Sequence, residues 1–190
     1  MRLRVVILGI PGVGKSTVVQ KLARSLGGSR VVNFGSTMLE EGIRQKWVKK
    51  RDELRKLPVE KQRLLQKLTA ISISKMRDAV VIVDTHLFIR TKEGFWPGVP
   101  FEVARALKPT HLVLVEASPA EIASRRTADK TRYRDSATEA SLGDELALAR
   151  TFLAVCSTLT GAPMLTVANA DGKSSKVARE VATVLKGSRL

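Results

Sequence analysis

Arg4-Val5-Val6-Ile7-Leu8-Gly9-Ile10-Pro11-Gly12-Val13-Gly14-Lys15-Ser16 decides the architecture of this chain. The stretch opens on an apolar run rich in strand formers and continues as a glycine-rich turn that leads into a helix. The turn matches G-x-x-x-x-G-K-[ST], a phosphate-binding loop, in the strand–loop–helix context that the motif requires. Phosphate oxygens need closely spaced backbone N–H donors. Gly9, Gly12, Val13 and Gly14 let the chain wrap an anion with no side chain in the way. The following helix aims its positive end at the same anion. Lys15 is then placed to reach the outer phosphates and the Ser16 hydroxyl to meet Mg2+, with Thr17 as a neighbouring candidate.

Outward from this turn, short apolar runs alternate with helical patterns, the signature of an α/β fold with a parallel sheet. Val19, Leu22, Ala23 and Leu26 mark the first helix, and Gly27-Gly28 stops it. A second strand is expected over 30–34, followed by a long basic helical region over about 38–77 that Pro58 breaks. Leu64, Leu68 and Ile71 form its apolar stripe. Ala79 to Val83 reads as a fully buried strand ending at Asp84, and Gly94 to Pro100 as an aromatic loop. His111 to Val115 is the fourth strand. Ser118, Pro119 and Glu121 then form a capping box at a helix start. Leu148, Phe152, Val155 and Leu159 share one helix face, Met164 to Val167 is the fifth strand, and Val177, Val181 and Val184 line the last helix.

With 190 residues the chain makes one domain with inserts. No run approaches the ~20 apolar residues of a membrane span, and the N-terminus has no signal-peptide layout. Cys156 is the single cysteine, so internal disulfides and multi-cysteine metal sites are excluded and a reducing cytoplasm is expected. The net charge of +15 points to an anionic partner. Twelve basic and three acidic residues lie between Arg44 and Arg77, so much of that charge sits in one segment. Asn occurs only at 33 and 169, and many Lys and Arg accompany the scarcity of amides, which suggests a thermophile.

Asp84 ends a buried strand beside the crevice where α/β sheets bind ligands, a position from which a carboxylate holds Mg2+ directly or through water. A strand-end turn former is the plainer alternative. The guanine-reading Asn-Lys-x-Asp and the switch Asp-x-x-Gly are both absent, which disfavours a GTPase. A small-molecule kinase fits better. It must bring two anions together, and two basic segments, one before Asp84 and one after the fourth strand, offset their repulsion. Arg51 and Arg55, four apart, share a helix face on which both can reach one phosphate. His86 either contacts substrate or makes a structural hydrogen bond. Trp96 either stacks on a base or plugs its loop against the core. His111 reads as structural and Cys156 as a small buried hydrophobe.

Gly9 to Thr17, Asn33-Phe34-Gly35-Ser36-Thr37-Met38, Arg51 to Leu57, Val83-Asp84-Thr85-His86, Gly94 to Pro100 and Thr131-Arg132-Tyr133-Arg134-Asp135 together resemble the archaeal type of adenylate kinase, in the right order over nearly the whole chain. The resemblance implies a five-stranded parallel sheet and the Mg2+-dependent reaction ATP + AMP ⇌ 2 ADP. It also implies a core of residues 1–37, 78–124 and 136–190, an AMP-binding insert at about 38–77, a short lid at about 125–135, and a homotrimer. Carried over, Gly12 to Thr17 cradle ATP. Ser36, Thr37, Met38, Arg51, Arg55, His86 and Gly98 are expected around AMP. Arg125, Arg126, Arg132 and Arg134 are lid arginines on the transferred phosphoryl group, and Asn169, Asp171 and Gly172 lie by the adenine of ATP. Relative to the bacterial form, Lys15-Ser16-Thr17 replaces Lys-Gly-Thr, and Glu40 and Glu41 stand where an arginine usually follows the AMP-binding threonine. Two rival readings remain open at this point. One is a kinase for another nucleotide or a hydroxyl acceptor such as shikimate. The other is an RNA-binding, ribosome-associated ATPase, because basic helices bind RNA without sequence preference.

Overall fold

The computed structural model describes residues 2–91, 94–128 and 138–188. Five strands form one sheet: β1 (Leu3–Leu8), β2 (Ser29–Asn33), β3 (Val80–Asp84), β6 (His111–Glu116) and β7 (Met164–Ala168). Their order is β2-β3-β1-β6-β7, and every neighbouring pair is parallel. The three inner strands are apolar on both faces and almost wholly buried, as parallel strands covered by helices must be. Helix α1 (Lys15–Leu26) packs on α8 (Ser174–Gly187), while α7 (Glu139–Thr160) packs on β6 and on α5 (Phe101–Leu107). The chain crosses from β3 past β1 to β6. The loop after β1 therefore sits where the strand order reverses, the usual ligand crevice of such sheets.

Local chemistry sets several boundaries. Asn33 ends β2 and at once caps α2 (Phe34–Arg44), its Oδ1 accepting from the Ser36 amide at 3.0 Å. Phe34 is therefore helical rather than the last residue of the strand. The expected capping box forms at the start of α6 (Pro119–Ala128). Ser118 N donates to Glu121 Oε2 at 3.0 Å, and Glu121 N returns a bond to Ser118 Oγ at 3.3 Å.

The basic region is three helices rather than two: α2, the single turn α3 (Arg51–Leu54) and α4 (Val59–Ser74). Pro58 starts α4, and a second break at 45–50 passes through Lys46 with φ 60°. Val48, Leu54 and Leu65 form a small core of their own, with Met38, Leu39, Trp47 and Leu57 around it.

Two apolar stripes take another phase than their spacing suggests, and a third departs only at its last turn. In α4 the buried face is Leu65, Thr69, Ala70 and Ile73, and Leu64 is exposed. In α7 it is Leu142, Leu146, Ala149, Leu153 and Cys156, while Val155 and Leu159 are exposed. In α8 Val177 and Val181 are buried as expected, and only in the last turn does Leu185 take the place of Val184. A helix that is apolar over much of its circumference carries two adjacent stripes of equal period, and only its packing partner selects one. Burial pushes the Cys156 thiol pKa up and that of His111 down, in keeping with structural roles for both.

The aromatic segment expected as a loop is half of an antiparallel hairpin, β4 (Phe88–Thr91) with β5 (Gly94–Pro97). Phe88 meets Phe95 edge-on across the hairpin, ring centres 4.9 Å apart, and ties the hairpin to α7 through a tilted contact with Phe152 at 5.8 Å. Gly98 closes it. Its amide donates to Leu87 O at 2.7 Å, and a Cβ at this position would overlap the His86 carbonyl. Gly98→Ala is therefore expected to cost about 2 kcal/mol and lower the thermal midpoint by about 6 °C. A midpoint unchanged in calorimetry contradicts this close approach.

Candidate functional site

The C-terminal ends of β1, β2 and β3 deliver the loop Gly9–Gly14, Asn33 and Asp84 to one edge of the sheet. Asn33 pairs with Asp84, and Ile7 with Asp84, in the strand register. Gly14 is the N-cap of α1 in a left-handed conformation, φ 78°, with no side-chain cap. The first-turn amides of α1 are therefore left for an anion, and any Cβ on Gly14 would collide with the Asn169 amide. Ser16 and Thr17 stand exposed on that turn.

Lys15 is 7% exposed and forms an ion pair with the equally buried Asp84, whose other oxygen accepts from Asn33 Nδ2 at 3.3 Å. Each is the other's counter-charge at the mouth of the phosphate loop, where little water reaches either. Thr85 N donates to Ile7 O at 3.1 Å, so the turn after Asp84 is tied to β1. Next to it His86 Nδ1 lies 3.3 Å from Gly9 O.

The expected AMP side gathers at the start of α2. Ser36 is exposed there, and Thr37 and Met38 are partly buried. Met38 packs against both apolar cores. Arg51 comes from α3 and lies over the same helix start: a Cβ on Gly35 would stand 3.0 Å from its Nη2. Arg55, just past α3, is exposed. Glu41 does not face the site. It is buried, with Arg44 Nε at 3.0 Å and Gln45 Nε2 at 2.7 Å. Trp96 lines a groove of about 530 Å3 between the hairpin and α4, together with Gln62, Arg63 and Phe101.

On the other side, α6 sends two adjacent arginines in different directions. Arg125 binds Asp171, through Nε at 2.9 Å, and the Asn169 carbonyl, through Nη2 at 3.0 Å. Arg126 donates from Nε to Pro11 O at 2.9 Å and from Nη2 to Glu145 Oε2 at 3.0 Å. The Asp171 amide donates to Glu121 Oε1 at 2.7 Å. Bonds from the Ser118 hydroxyl, the Ser118 amide and the Asp171 amide hold the Glu121 carboxyl below the usual carboxylate range. Gly172 turns the loop after β7 at φ 71°. Arg132 and Arg134 lie outside the described residues.

Sequence reasoning missed Asn33 as a partner of Asp84 and Glu145 as a partner of Arg126. The first had a signal: the chain's two asparagines both follow apolar strand residues at the ligand edge. The second had none, because only packing brings α7 to α6.

Residues 8–143 match the family model described as AAA domain. The adenylate kinase of Methanocaldococcus jannaschii is 39% identical over 187 residues, covering 96% of this chain and 97% of the relative. That of Thermoplasma volcanium is 42% identical over 184 residues, 97% and 100% of the two chains. Among solved structures, shikimate kinase from Acinetobacter baumannii in complex with shikimate superposes with a TM-score of 0.64 at 17% identity, over 100% of this chain and 96% of that one, a likeness of fold alone. The phosphate loop, the acid behind it and kinship along the full length agree: the chain belongs to the adenylate kinase family, in the form represented by these archaeal members, on an AAA-domain core.

Proposed function

We propose that the chain transfers the terminal phosphoryl group of ATP to AMP, giving two ADP, and runs the reverse reaction at the same site. The observation that carries this reading is the convergence, on one sheet edge, of the phosphate loop, the Lys15–Asp84 pair and the start of α2 with Arg51 above it. Such an edge holds two phosphorylated ligands end to end. A phosphate oxygen of AMP attacks the γ-phosphorus in line, the new P–O bond forming as the bond to the β-phosphate oxygen breaks. No protein nucleophile is needed. Lys15 exchanges Asp84 for phosphate oxygens. Arg51 with Arg55 holds the AMP phosphate, and Arg125, Arg132 and Arg134 offset the charge in transit.

Ser16 and Asp84 are hard oxygen donors suited to Mg2+. A Mg2+ held by these two would complete its shell with phosphate oxygens and water. When bound, the ion neutralises the β- and γ-phosphates.

An acceptor panel tests the reading. With ATP as donor, AMP is expected to yield ADP at least about tenfold faster than other nucleoside monophosphates or shikimate. No ADP from AMP overturns it, and hydrolysis stimulated by RNA without AMP phosphorylation favours the ATPase alternative.

We further infer a homotrimer from the resemblance. Val155, Leu159 and Met164, each about half exposed, supply apolar surface for self-association. Sedimentation at the mass of three chains is the expected outcome, and a monomer at micromolar concentration contradicts it. Cytoplasmic location and a thermophilic origin are inferred from the lone reduced Cys156 and from the charge and amide balance.

A further inference from the structure

Every second carbonyl of the phosphate loop is met by a side chain from a different part of the chain. Gly9 O lies 3.3 Å from His86 Nδ1, in the turn after β3. Pro11 O accepts from Arg126 Nε, on α6, at 2.9 Å. Val13 O accepts from Asn169 Nδ2, after β7, at 2.8 Å. A carbonyl oxygen only accepts, so the geometry places the His86 proton on Nδ1. The alternation has a physical cause. A loop that turns its N–H groups inward to an anion must turn the intervening carbonyls outward, where side-chain donors can meet them; the bond to Val13 O is buried, that to Gly9 O partly so, and that to Pro11 O is exposed.

We propose that His86, Arg126 and Asn169 are positioning residues of the phosphate loop: their bonds to the Gly9, Pro11 and Val13 carbonyls hold its amides in the anion-binding orientation. This rests on the phosphate-loop reading above and reassigns residues whose resemblance placed them on nucleotide. Arg126 and Asn169 are committed elsewhere as well. Arg126 is pinned at its far end by Glu145, with side-chain exposures of 13% and 8%. Asn169 is 4% exposed, and its main chain is fastened to Glu116 O at 2.7 Å and to Arg125. Neither swings onto a phosphate without abandoning buried partners. The anchors also come from both sides of β1 in the strand order, β3 on one side and β6 with β7 on the other. The loop is therefore braced across the crevice, not along one wall.

The test compares, at each anchor, a substitution that keeps the donor with one that removes it. Arg126→Gln sets an amide nitrogen the same number of bonds from the backbone as Arg Nε, and His86→Asn does so for Nδ1. Arg126→Met, His86→Leu and Asn169→Leu remove the donor. Calorimetric binding of inorganic tripolyphosphate, which has no base, reads the loop alone. The donor-less variants are expected to bind it about tenfold more weakly and to raise KM for ATP by a similar factor, with KM for AMP within about twofold. Arg126→Gln and His86→Asn recover most of the lost affinity. If Arg126→Gln binds tripolyphosphate as poorly as Arg126→Met, charge and not the bond to Pro11 is what matters, and the proposal fails. It fails equally if all donor-less variants bind like the parent. Midpoints of thermal unfolding separate a displaced loop from an unfolded chain, and the Gln–Met comparison at 126 holds at matched stability. ADP formation from ATP and AMP by the parent protein is scored independently. Its absence removes the kinase reading while the tripolyphosphate arms still judge the anchors.

Discussion

Lys15→Met is expected to lower turnover about 1,000-fold in an ADP-forming assay, because the ammonium proposed to meet the transferred phosphoryl group is gone. From the motif alone this substitution reads as neutral for the fold. The structure adds a second consequence. Lys15 and Asp84 are a buried ion pair, so removing the lysine leaves a carboxylate uncompensated at a site with side-chain exposures of 7% and 9%. Breaking such a pair from one side costs about 3–5 kcal/mol. The double substitution Lys15→Met/Asp84→Asn removes both charges and is expected to regain most of that stability while turnover stays low. Turnover within threefold of the parent in Lys15→Met sinks the mechanism. Equal melting midpoints of the single and double variants sink the account of the pair.

Leu65→Ala is expected to cost about 3 kcal/mol and to do so unevenly. Leu65 is fully buried at the centre of the small core that α2, α3 and α4 build with Val48 and Leu54. That core is separate from the one around the sheet. Loss of its central side chain therefore loosens the segment carrying Arg51 and Arg55 before it loosens the sheet. The signature is a KM for AMP raised about tenfold, an ATP affinity that hardly moves, and faster amide exchange confined to about 38–77. A uniform rise in exchange across β1, β3 and β6 shows instead that the insert and the core melt as one unit.

The phosphate loop was readable because its chemistry is local. One stretch of chain supplies strand, glycines, lysine and helix start, and β1 and α1 formed around it as the spacing required. The fully buried strand ending at Asp84 was readable for the same reason. The phase of α4 and α7 was not. Both helices carry two apolar stripes of equal period, and the choice between Leu64 and Leu65, or Val155 and Cys156, depends on what lies opposite. The hairpin through Phe95 and Trp96 hid behind its Gly and Pro residues, which signal a turn but not the strand pairing that encloses it.

Sequence by itself determined the α/β class, the anion site, and the kinship that names the chemistry, since each rests on residues adjacent in the chain or matched along it. Tertiary structure alone decided that Lys15 lies against Asp84, that Asn33 backs it, that Arg125 and Arg126 part company, and that three distant side chains meet alternate carbonyls of one loop. These pairings join residues tens of positions or more apart. A buried polar group accepts whatever partner the packing brings within about 3 Å, and no local pattern records which one that is.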